Sequence, residues 1–262
     1  MYQARIVAVV ALSAALLLRA APSFAQNSDP GGPTAGSGGW QVELAPYLWA
    51  SGIEGRVGIR GRTAAADVGF RDLIKHVSGA LTLAARVRHD RWAIGSEVIW
   101  IRLSDQRATP GPLFSGAGLT ASQLILELTG RYRLVDAPLG SVEAFVGGRY
   151  WHLRNTLSLE SGALPGREFR LNESWFDPIL GFSAVGNLSR RWLVQARGDF
   201  GGFEVGSERT WQALGLLGYH LSRRVDLMGG YRYLSVDFSD DDNGFLYDID
   251  THGPILGVVI RL

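Results

Sequence analysis

The sequence predicts an all-β protein: a single antiparallel, up-and-down transmembrane β-barrel of about ten strands, with eight or twelve as alternatives. Three observations predict it. From Trp40 onward, polar and apolar residues alternate with period two, which is the strand signature. The connections between alternating runs are tight and polar at 89–90, 135–140, 187–190 and 222–224. They are longer and richer in Gly, Pro and charge at 51–77, 104–119, 155–172 and 238–246. Aromatic residues recur eight apart on one face of several strands.

The chain of 262 residues opens with "MYQAR", the apolar run "IVAVVALSAALLL" and "PSFAQ". A short positive segment, an apolar core and a small-x-small pattern predict a signal peptide over 1–25, cleaved after Ala25. Arg19 keeps the apolar run below the roughly 20 residues that a spanning helix needs. Residues 26–39, "QNSDPGGPTAGSGG", are a Gly/Ser/Pro linker without apolar groups to pack. The barrel is expected over 40–262. Its up-going strands fall near 40–50, 91–103, 141–154, 191–203 and 224–237. Its down-going strands fall near 78–89, 120–134, 173–186, 207–220 and 246–262. Short turns on one rim and longer loops on the other predict periplasmic turns and extracellular loops. Residues 51–77 are either an extracellular hairpin or two further strands, and "DLIKHV" (72–77) is one short helical turn. "DRW", "RRW" and "RRV" at 90–92, 190–192 and 223–225 each open an up-going strand after a tight turn.

A strand tilted about 40° climbs roughly 2.5 Å per residue, so eight residues cover about 20 Å. That approaches the roughly 25 Å apolar band of a membrane barrel, which carries aromatic girdles at both edges. Trp92 and Trp100, Trp192 and Phe200, and Trp211 and Tyr219 have this spacing, with apolar or small residues between them. Trp40 and Leu48 enclose Val42, Leu44 and Pro46. The opposite parity collects Glu43, Arg86, Arg88, Glu97, Glu127, Arg131 and Glu143, then Arg149, Asp177, Arg197, Asp199, Asp226 and Arg232. Each would cost about 2–4 kcal/mol facing lipid at the midplane. Facing the lumen, carboxylates and guanidiniums pair. Periodicity also permits the inverse arrangement, a soluble periplasmic ligand-binding barrel with the apolar face inside.

"WQVELAPYLWASGIEGRVGIRGRTAAADVGF", "DLIKH" and "RHDRWAIGSEVIWIRLSD" resemble the opening of a broad family of Gram-negative outer-membrane β-barrel proteins. The resemblance implies that fold and the cell outer membrane as location. Outer-membrane lipid, lipopolysaccharide and the insertion machinery are then the partners. It implies no catalytic residue. The terminal "GPILGVVIRL" resembles the C-terminal signal that the insertion machinery reads, with Leu262 where an aromatic is usual.

A formal net charge of +1 gives no reason to expect nucleic acid. The absence of cysteine excludes disulfides, thiolate metal sites and cysteine nucleophiles. No cofactor or metal residue is expected. Glycine pairs beside aromatics ("VGGRY", "FGGF", "MGGYRY") are architectural. Among the histidines, His89, His152 and His220 lie near strand ends; the last two have room to face the lumen, and all three read as hydrogen-bonded filler. One cluster could carry chemistry. Asp248, Asp250 and His252 share a strand face, where carboxylates beside a histidine can activate water, as in omptin-type proteases, or hold a divalent cation. If Leu262 faces lipid, parity puts His252 on the lipid side. The expected function is therefore a structural barrel or narrow small-solute pore with a charge-paired lumen. A rim hydrolase or cation-binding barrel is the alternative. The solute is not encoded in any motif.

Overall fold

The computed structural model describes residues 39–59, 62–108, 114–240, 242 and 244–262. The predicted signal peptide, and all of the predicted linker but Gly39, lie outside the described residues.

Ten strands close into one antiparallel ring. In ring order they are β1 (Gln41–Trp49), β4 (Val77–His89), β5 (Trp92–Ala108), β6 (Phe114–Ala137), β7 (Gly140–Ser161), β8 (Arg167–Asn187), β9 (Trp192–Gly202), β10 (Arg209–His220), β11 (Val225–Asp240) and β12 (Phe245–Arg261). The ring closes where β12 pairs with β1. That pairing runs over Glu43 and Leu44, skips Ala45 and Pro46, and resumes from Tyr47 to Trp49. Proline has no N–H to give a ladder. The remaining two strands, β2 (Gly52–Ile59) and β3 (Arg62–Val68), form a hairpin that pairs with the upper half of β12 through β2 and stays outside the ring. The 51–77 segment is thus the hairpin, and the spanning strands number ten. It ends in a short helix, α1 (Phe70–His76), whose Leu73 is buried.

The tight turns lie where the sequence put them. At the β4–β5 turn Asp90 takes φ 53°, a left-handed conformation that Asp tolerates. The longer connections differ from expectation. Much of 104–119 and 155–172 is strand, and β11 and β12 stay paired to Asp240 and Phe245. Glycine, proline and charge marked these segments as loops, but the alternation runs through them. By strand parity Leu119, Leu157, Phe169 and Leu171 share the lumen side of the wall and Thr120, Thr156, Arg170 and Asn172 the other; Leu171 packs on the buried cluster, while Leu119, Leu157 and Phe169 stay exposed. At roughly 2.5 Å per residue, the 22-residue β7 rises about 55 Å, twice the height of the apolar band. The wall β5–β8 therefore projects well beyond the membrane, whereas β9 and β10, of 11 and 12 residues, are only long enough to span it.

Outside the ring, large apolar side chains are exposed in a belt: Ile94, Leu128, Val146, Phe182, Leu217 and Leu256 are all 48–65% accessible. A water-soluble barrel does not expose such a continuous belt, so the arrangement with the apolar face inside is overturned. Inside, the upper lumen is filled by Ile99, Ile125, Trp151, Trp175, Leu234 and Ile249 with their neighbours. Ile53, Val57 and Ala66 of the hairpin pack against this cluster.

Candidate functional site

The inward face of the ring carries three layers. At the short-turn end, Glu143 is buried among three guanidiniums. Arg131 Nε donates to it at 3.0 Å, Arg88 Nη2 donates to it, and Arg86 lies 3.9 Å away. Arg86 also lies 3.7 Å from Glu43, which is 3.5 Å from Arg261. Arg261 in turn donates to Asp226, which His220 Nδ1 approaches at 2.7 Å. Of the strand-end histidines, His220 thus faces the lumen. His152 does not: it pairs across the outward face with Ser174 at 2.7 Å. Parity decides it, since the inward residues of β7 are odd-numbered.

The middle layer balances three carboxylates against three guanidiniums. Arg232 forks onto both oxygens of Glu97 at 2.9 and 3.0 Å. Tyr47 donates to Glu97 at 2.7 Å. Arg149 bridges Glu127 (3.1 Å) and Asp199 (2.7 Å). Arg197 does the same at 2.5 and 2.9 Å. Arg149 and Arg232 are 0% and 1% exposed. The guanidiniums also lie over rings: Arg131 and Arg197 over Phe145, and Arg232 over Trp49.

Above this layer Asp177, fully buried, accepts from Trp151 Nε1 (2.8 Å), Ser207 N (2.7 Å) and Ser207 Oγ (2.9 Å). Its partners among the described residues are neutral donors, and it pins the β9–β10 turn. Trp175 stacks between Trp151 and Phe238, with ring centres 5.5 and 4.1 Å away. Sequence reasoning listed the charges but missed Tyr47, Gln212, Trp151 and Trp175. Their odd or even positions on strands already placed would have turned them inward.

The aromatic girdle residues all point outward. Trp92 packs on Tyr132 at 4.7 Å, Trp192 on Tyr219 at 5.0 Å and Trp40 on His89 at 4.9 Å, all at the short-turn end. Toward the other edge lie Trp100, Phe200 beside Phe203 (5.4 Å), and Trp211 stacked on Tyr233 (4.7 Å).

The Asp248, Asp250 and His252 side chains share the outward face of β12 above that edge and do not converge. Arg56 Nη2 holds Asp248 at 2.7 Å. His252 meets the Tyr231 hydroxyl at 2.6 Å and stacks on Tyr233. Asp250 stands opposite Glu54. Among the described residues no group of three His, Cys, Asp or Glu side chains is placed to hold a metal ion. Nearby, burial followed by the charges of Glu208 and Asp248 pushes the Asp237 carboxyl up, against the pull of Arg209 and Arg56.

The sequence matches no family profile, and no curated protein matches it. Its structure is similar to the outer membrane protease OmpT of Escherichia coli, with TM-score 0.51 and 9% identity over 85% of this chain and 97% of that one. It is also similar to the translocator domain of the Neisseria meningitidis autotransporter NalP (TM-score 0.42, 12% identity, 87% and 89% covered). A third match is Ail of Yersinia pestis (TM-score 0.35, 10%, 86% and 99%). The chain has the fold of the Gram-negative outer-membrane β-barrels.

Proposed function

We propose that this protein resides in the outer membrane as a structural barrel whose lumen is closed to free diffusion, in contact with outer-membrane lipid and lipopolysaccharide. The observation that carries the reading is a set of contacts reaching across the lumen. Arg232 of β11 grips Glu97 of β5, four places round the ring. Gln123 of β6 donates to the Tyr247 hydroxyl of β12 at 3.2 Å, also four places away. Between and above them the side chains are almost fully buried. A ten-stranded ring is narrow enough for side chains to fill it, and paired charges tolerate burial where single ones do not. The rim residues Asp248, Asp250 and His252 act on this reading as solvated surface charge and ring stacking, with no catalytic step assigned.

The test is conductance in planar bilayers after reconstitution of protein recovered from the outer-membrane fraction in its heat-modifiable form. The wild type is expected to show no steady current. A stable open level in the wild type would overturn the closed lumen, and recovery in the soluble periplasm would overturn the location.

A further inference from the structure

Below the sealed layer the lumen opens into a cavity of about 230 Å³ whose two sides differ in chemistry. Glu43, Arg86 and Arg131 line one side, from β1, β4 and β6. Leu193, Leu214, Leu216 and Met228 line the other, from β9, β10 and β11. β4–β6 and β9–β11 stand opposite each other in the ten-strand order, so the Arg86 side faces a leucine- and methionine-lined wall on which Gln195, Arg197 and Asp226 also stand. The mouth is wet: side chains of Arg86, Glu43 and Arg261 keep 23%, 30% and 37% of their surface.

We propose that this cavity is a binding site, entered from the short-turn end, for a small amphiphilic anion: one carboxylate or similar oxyanion on a compact apolar body. The charge comes from Arg86. Every mid-lumen arginine grips carboxylate oxygens at 2.5–3.1 Å. Arg86 reaches its two carboxylates among the described residues only at 3.7 and 3.9 Å. Its planar fork is thus free to take an oxyanion in two parallel hydrogen bonds. Along the cavity lining four guanidiniums (Arg86, Arg131, Arg197, Arg261) balance four carboxylates (Glu43, Glu97, Glu127, Asp226), so it is the loosely held Arg86 that is left to meet an anion. The body comes from the facing wall. Leu214 and Leu216, partly exposed beside the buried Leu193 and Met228, gain by covering an apolar ligand. The volume exceeds the roughly 150 Å³ that admits benzene, so one ring with a short acid arm can enter. The glycine at position 95 leaves Arg131 its place, because a Cβ there would stand 3.3 Å from Arg131 Cδ and 2.9 Å from Thr129 Oγ1.

The site does not depend on the sealed lumen: a barrel that conducts yet binds would refute the seal and keep the site. The probe is 3-phenylpropionate, titrated calorimetrically into the full chain in lipid nanodiscs, with empty nanodiscs subtracted. Saturable binding is expected. The uncharged 3-phenylpropan-1-ol should bind at least tenfold more weakly, and inorganic phosphate likewise. R86Q should weaken the acid at least tenfold, and L216E, which places a carboxylate on the apolar wall, should do the same. R209Q, outside the lumen, should leave it unchanged, and heat-modifiability reports whether each variant is folded. Absence of saturable binding, an alcohol or phosphate equal to the acid, or folded R86Q and L216E proteins that bind normally would each overturn the proposal.

Discussion

Arg232 and Glu97 meet in the lumen with both oxygens and both terminal nitrogens engaged, and Tyr47 donates to the same carboxylate. Removing one partner strands the other in a water-poor interior, which costs about 3–5 kcal/mol, whereas replacing both with neutral groups costs much less. R232M should therefore destabilise the barrel by about that amount, and the double variant R232M/E97Q should recover most of it. Urea unfolding in liposomes measures both. If the double variant is as unstable as the sum of the singles, the pair is not coupled. Asp177 differs from its neighbours because neutral donors from Trp151 and Ser207 converge on it. An Asn there turns an N–H₂ toward donors, so D177N should cost about 1–3 kcal/mol. The loss should appear first as faster amide exchange at Ser207. Parity on correctly placed strands was enough to turn each of these charges inward. Which charge meets which was not legible, because partners such as Glu97 and Arg232 lie 135 residues apart and are brought together only by ring closure.

The β2–β3 hairpin pairs with β12 alone and leaves β3 as an edge rich in alanine. Since the ring closes without it, replacing residues 52–68 with a short Gly/Ser linker should leave a heat-modifiable barrel. A loss of heat-modifiability would show that the hairpin is needed for closure. The sequence offered this segment as hairpin or spanning pair because its alternation is the same either way. The deciding feature, β2 pairing with the outer half of β12, is a tertiary choice. The tips of β11 and β12 carry a pH response. Asp237 has a raised folded pKa from burial and from Glu208 and Asp248. A carboxyl raised on folding gives stability that is present at low pH and lost as pH rises through its folded value. D237N should therefore slow amide exchange at the Asp237–Asp248 rung at neutral pH and change little below the ordinary carboxylate range. Equal slowing at both pH values would remove the carboxylate as the cause. Alternation over 114–119 and 155–161 was present in the sequence, but Gly116, Gly118 and Gly162 resembled loop punctuation.

Across the whole molecule, polar groups are graded: an ion-lined cavity at one end, a neutralised middle, an aromatic plug above. Opening it should require breaking more than one layer. W175A should conduct no better than the wild type, whereas W175A combined with R232M/E97Q should show steady current in planar bilayers. Current from W175A alone would place the barrier in the stacked rings. The seam between β1 and β12 has a further consequence, and it concerns time. Every other ladder in the ring joins strands adjacent in sequence, apart from β1–β4 across the hairpin, so each can zip as the chain emerges from its neighbour. The seam joins residues more than two hundred positions apart, and its ladder is interrupted at Pro46. Distant pairings are the slow ones. The insertion intermediate is then a curled sheet with two raw edges, waiting on its final seam. Substitutions along that seam would act on how long the open sheet persists, and thus on its exposure to proteases, more than on how firmly the finished ring holds.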